Sequence, residues 1–226
     1  MNEKKRRFSR SIYYILIIII LKIVSALPLL SLDFNSPQTI DGRLIMSSLF
    51  YLAIILFILY KKKALNLIYS PNSLTWKNLF YIVLGVVSVF GVQIMLLTLN
   101  NLFFPTSGSN EISSNQENIE FFLRTIPVLG FFFYIVFFGP FIEELVFRVI
   151  VHKKLFGKFS YFDLFAAAAV FSLSHSPSNI AQFIPYFSLG IVLSYVYYKT
   201  DNFFVIYMIH VIKNLIAVTV VLTYFI

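Results

Sequence analysis

The sequence predicts an all-α bundle of about seven membrane-spanning helices, and three observations carry that expectation. Hydrophobic residues make up 59% of the chain and charged ones only 12%, a balance well outside that of soluble domains. Apolar runs of spanning length recur from Ile12 to the last residue, as expected where hydrocarbon is the solvent. Lys and Arg sit in short clusters between those runs, so the net charge of +8 reads as a topology signal rather than a nucleic-acid surface.

The element order follows from the runs. Met1 to Arg10 carries Lys4, Lys5, Arg6, Arg7 and Arg10 ahead of an apolar stretch too long for a signal peptide, which points to a retained first helix. Spans are expected at Ser11–Leu30, Leu44–Tyr60, Leu79–Leu99, Phe121–His152, Phe162–His175, Ile180–Tyr198 and Phe203–Ile226. The fourth is too long for one straight crossing and holds Pro127, Gly130, Gly139 and Pro140, so a kink or a preceding surface segment is expected. The fifth is short, as for a helix that ends inside the protein.

Loop charge then orients the bundle. The N-terminus, Lys61 to Lys77, Lys153 to Lys158 and Lys199 fall on one side, while Asp33, Asp41, Glu111, Glu117 and Glu120 gather on the other. The positive-inside rule gives a cytoplasmic N-terminus and an external C-terminus in a multi-pass cell-membrane protein. Residues 1–120 are expected to supply helices and loops, and residues 121–226 the functional core.

Chemistry is narrowed by what is missing. There is no cysteine, which excludes disulfides, thiol nucleophiles and thiolate metal sites. No Gly-x-Ser-x-Gly elbow, His-Glu-x-x-His motif or glycine-rich phosphate loop is present, so a serine hydrolase, a helical zincin and a nucleotide-binding protein all lack support.

The informative residues are polar groups at membrane depth, where an unpaired polar group is expensive. In Phe141-Ile-Glu-Glu-Leu-Val-Phe-Arg148, Glu144 and Arg148 lie four apart on nearly one helix face and are placed to pair. Glu143 points about 100° away, toward a different cavity. A histidine, His175, follows Phe171 by four residues at the end of the short fifth span, and His210 and Asn214 share a face of the last one. A carboxylate and an imidazole activate water, while a second imidazole and an amide can donate to an oxyanion. Alternatively, Glu143, Glu144 and Arg148 are only a salt-bridge knot, and His210 with Asn214 only a packing hydrogen bond.

Taken in order, Glu143-Glu144-x-x-x-Arg148, Phe171-x-x-x-His175 and His210-x-x-x-Asn214 resemble the motifs of the CPBP, or Abi, family, which contains the CAAX prenyl endopeptidases of the Rce1 type and bacterial bacteriocin-immunity relatives. The resemblance covers Glu143 to Asn214. It implies an intramembrane endopeptidase whose cavity opens toward the cytoplasm. Glu143 with His175 would activate water, His210 and Asn214 would stabilise the oxyanion, and Glu144 with Arg148 would brace the site.

The resemblance also implies a choice of mechanism, because the family has been described both as metalloproteases and as glutamate proteases. Glu143, His175 and His210 could supply three ligands to a divalent metal, zinc first among candidates, and Glu144 would then have to serve as base. The metal-free water mechanism is the favoured expectation. The expected partner is a membrane-associated peptide within the lipid bilayer, in bacteriocin self-immunity or peptide maturation, and no nucleic acid. A non-enzymatic immunity or scaffold protein is the alternative, and a proton-coupled carrier finds less support because the polar residues have no matching set in the first half.

Overall fold

The computed structural model describes residues 49, 53, 75–104, 132–156 and 160–225. The spans expected at Ser11–Leu30 and Leu44–Tyr60 lie almost wholly outside them, as does the start of the fourth, so the count of seven concerns residues beyond those described. Every regular element among the described residues is helical.

Helix α1 runs Trp76–Phe103, starting where the Thr75 hydroxyl accepts the Asn78 N–H at 3.1 Å. The next segment is π-helical over Tyr134–Phe138, α-helical over Gly139–Glu144 (α2) and π-helical again over Leu145–Phe156. Helices α3 (Tyr161–Leu173), α4 (Ile180–Thr200) and α5 (Phe203–Phe225) complete the core. The expected spans are thus lengthened by several residues in α1 and at the end of the fourth, and shifted by one or two elsewhere, as helix ends read from hydropathy usually are.

Helices α3, α4 and α5 each begin on a side-chain cap. Ser160 Oγ accepts Asp163 N at 3.0 Å, Asn179 Oδ1 accepts Gln182 N at 2.9 Å, and Asn202 Oδ1 accepts Phe204 N at 3.0 Å. Gln182 is polar for the same reason, since its Oε1 accepts the Ser178 N–H at 2.9 Å and closes the turn before α4.

Among the described residues, three helices are long and apolar enough to cross a membrane: α1, α4 and the Phe203–Val220 part of α5. With 13 residues, α3 is about 20 Å long, short of a hydrocarbon core about 30 Å thick. Phe80, Val83, Val87, Ile94 and Leu102 of α1 are exposed, the outward apolar face of a helix solvated by lipid.

The core gathers Phe141, Ile142, Leu145, Val149 and Ile150 against Phe171, Leu189, Leu193, Ile206 and Ile209. Helix α4 packs on α1, α3 and α5, and its approach to α3 is set by small residues. A Cβ on Gly190 would lie 2.8 Å from Ala168 Cα and 2.9 Å from its Cβ, whereas one on Gly91 would meet nothing within 4 Å. Gly190→Ala is therefore expected to cost about 1–3 kcal/mol through overpacking and to lower the melting temperature of the purified protein. Gly91→Ala should hold or raise it, because alanine is the better helix former by roughly 1 kcal/mol.

Candidate active site

Two carboxylates enter the bundle on α2, and the helix sends them to different places. Glu144 is fully buried and Arg148 equally so, with Nε and Oε2 3.2 Å apart. That contact is an ion pair without hydrogen-bond alignment, and the guanidinium also lies over the Phe171 ring at 4.9 Å. The second Glu144 oxygen meets His210 Nδ1 at 2.7 Å. Glu143, one residue earlier, keeps 23% of its side chain exposed.

His175 is positioned by the end of α3. The helix stops before Pro177, and the His175 backbone N–H turns to the Ser172 carbonyl at 3.1 Å. That leaves the Phe171 carbonyl without its regular helical partner, and His175 Nδ1 takes it at 2.9 Å, with Ser174 Oγ at 2.7 Å. A carbonyl only accepts, so Nδ1 is the protonated nitrogen and Nε2 is turned inward, 3.8 Å from Glu143 Oε1. Tyr186 of α4 stacks on the imidazole at 4.1 Å and 14°.

His210 approaches from α5. Glu144 engages its Nδ1, and its Nε2 faces Glu143 Oε2 at 3.7 Å. Glu143 is therefore flanked by two imidazoles, one beside each of its oxygens. Both rings are held from behind, one by a carbonyl and one by a carboxylate, which fixes their orientation.

Asn214 is placed by the backbone of the neighbouring segment. Pro140 has no N–H, so in a π-helical register the Ile135 carbonyl five residues back lacks a donor, and Asn214 Nδ2 supplies one at 3.0 Å. Tyr207 Oη also donates to this segment, to the Phe137 carbonyl at 3.2 Å. Tyr207, His210 and Asn214 thus form one face of α5 that clasps the α2 segment. The break expected near Gly139 and Pro140 takes the form of π-helical turns on both sides of α2.

The structure brings Glu143, Glu144, Arg148, His175 and His210 together, and Asn214 lies one turn beyond His210 with its amide engaged by Ile135. Tyr186 and Phe171 complete the cluster. Tyr186 had no signal in local spacing because it comes from another helix, whereas Tyr207 could have been found one turn before His210. The Glu143, His175 and His210 donors face one another as two pairs, and among the described residues no group of three or more His, Asp or Glu is arranged to hold a metal ion.

Comparison with known proteins places the chain among membrane-protein relatives. Residues 125–216 match the family model described as type II CAAX prenyl endopeptidase Rce1-like. It is 27% identical over 208 residues to the UPF0177 protein YvdC of Lactococcus lactis, an alignment covering 90% of this chain and 77% of that one. It is 30% identical over 131 residues to the membrane-embedded CAAX protease MroQ of Staphylococcus aureus, covering 54% of this chain and 51% of that protein. No solved structure matches the chain.

Removing one partner of the buried ion pair strands the other, so Glu144→Gln and Arg148→Met are each expected to cost about 3–5 kcal/mol. The measurement is folded protein recovered from membranes and its melting temperature. Glu143→Gln should leave both unchanged, since that carboxylate is part-exposed.

Proposed function

We propose that this protein is an intramembrane endopeptidase that hydrolyses a membrane-associated peptide or protein by a water mechanism centred on Glu143. The observation that carries it is the Glu143 carboxylate with a histidine Nε2 beside each oxygen, at 3.8 and 3.7 Å. His175 offers a lone pair at Nε2, so Nε2 and Glu143 Oε1 are two acceptors facing one another. A water that donates one proton to each satisfies both and turns its own lone pairs outward.

Glu143 takes one proton as the water oxygen attacks the scissile carbonyl carbon. His210, backed at Nδ1 by Glu144, donates from Nε2 to the developing oxyanion. Glu143 returns the proton to the leaving nitrogen as the C–N bond breaks, giving a carboxylic acid and an amine. Glu144 and Arg148 brace His210, and Asn214 positions α5 through Ile135. No step of this reading uses a metal.

The family match and the name of the staphylococcal relative support the protease reading, and the bacterial sources of both relatives suit a peptide substrate in bacteriocin self-immunity or peptide maturation. The N-terminus is assigned to the cytoplasm and the C-terminus to the outside, in keeping with Lys199 at one end of α4 and the cation-free Ser176–Asn179 turn at the other.

The test is cleavage of a reporter peptide by purified protein in proteoliposomes. Glu143→Gln is expected to lower kcat by about 10²–10⁴-fold, the usual worth of a general base, and His175→Ala by a comparable factor, at unchanged membrane level. Activity should survive chelation in protein that contains no stoichiometric metal. Activity lost on chelation and restored by zinc would move the mechanism to a metal, and protection against a bacteriocin that persists in Glu143→Gln would favour the non-enzymatic alternative.

A further inference from the structure

Lys213 is the polar residue that the mechanism leaves unused. It lies on α5 one turn past His210, half-buried, in a helix otherwise apolar but for His210 and Asn214 and a few hydroxyls. Its ammonium carries three donors, yet among the described residues its one hydrogen bond is to Asn214 Oδ1, at 3.4 Å. Its other neighbour is the face of Tyr186, with Nζ 5.9 Å from the ring centroid. The same Tyr186 ring stacks on His175, which faces Glu143.

The charges of the cluster explain why this cation matters. Arg148 is matched by Glu144, and Glu143 stands between two imidazoles. Lys213 has no carboxylate of the described residues within ion-pair distance, and Glu143 acts on it from longer range. A cation at this depth is costly without an anion or a water path. Lys213, Tyr186, His175 and Glu143 are all half-buried, whereas Glu144, Arg148, Phe171 and His210 are buried, so Lys213, with donors to spare, belongs to the open side of the cluster.

We propose that Lys213, held over Tyr186, is the anion-recognition residue of this site and receives a carboxylate of the peptide substrate beside the bond attacked from Glu143 and His175. The inference rests on the endopeptidase reading. The carboxylate has two sources, a free peptide C-terminus or an acidic side chain, and both offer the two-oxygen acceptor that unfilled ammonium donors bind. Tyr186 supplies an apolar wall on which the lysine stem is held while its head turns to the ligand.

Three labelled apolar peptides separate the outcomes: one with a free C-terminus, one amidated with a single Glu, and one amidated without acid. Binding is read by anisotropy on full-length Glu143→Gln protein in proteoliposomes, and cleavage on the otherwise unaltered protein. A carboxylate peptide should bind about tenfold or more tighter than the neutral one, the range of a charge-assisted hydrogen bond. Lys213→Met should abolish that preference in binding and raise KM for the acid peptide with little change in kcat, while Lys213→Arg restores part of it. Which acid peptide shows the effect identifies the source of the carboxylate. Equal affinity for all three peptides, or a preference that survives Lys213→Met, overturns the inference. Carboxylate-selective binding without any cleavage would leave it standing while overturning the protease reading.

Discussion

A carboxylate buried in a membrane bundle must be answered by a cation and hydrogen bonds, and Glu144 is the group on which the rest of this structure depends. At 0% side-chain exposure it is met by Arg148 from its own segment and by His210 from α5. Desolvation makes each of the three costly alone, so α2 and α5 are locked in one rotation relative to each other. That rotation turns His210 Nε2 to the neighbouring carboxylate. Because adjacent residues on a helix diverge by about 100°, fixing Glu144 inward also leaves Glu143 at the open side.

A second constraint is the backbone. In a membrane every carbonyl needs a donor, and at two places beside the site the helix cannot provide it. Pro140 leaves Ile135 unserved, and the end of α3 leaves Phe171 unserved; side chains fill both gaps, from Asn214 and His175. The interruption that costs a helical bond is thus what orients a functional ring or clasps one helix to the next. The π-helical turns flanking α2 belong to the same economy of bonds, and such turns often accompany functional sites.

Much of this was legible in the sequence. The four-residue spacing of Glu144 and Arg148 anticipates their ion pair, the adjacency of the two glutamates anticipates their divergence, and Pro177 marks the end of α3 beside His175. What was not legible lies in contacts between helices. Asn214 shares a face with His210, as its spacing requires, but its amide goes to a carbonyl that is vacant only because of a proline on another segment. Tyr186 stacks on His175 through the rotation of α4, which Gly190 and Ala168 set by their close approach. Local periodicity carries neither relation.

Hydrolysis inside a membrane needs water at a depth where water is scarce, and the partition of burial around Glu143 meets that need. Glu144, Arg148, His210 and Phe171 form a closed back wall, and a group on that wall holds its orientation because nothing can solvate it elsewhere. Glu143 and His175 keep 23% and 15% of their side chains exposed, on the side where α3 stops after about 20 Å and its last turn gives way to Ser174–Asn179. A full-length helix would carry Phe171 into another turn, occupy its carbonyl with a backbone N–H and leave His175 Nδ1 unpartnered. The short helix therefore opens the bundle and orients the imidazole by the same missing hydrogen bond.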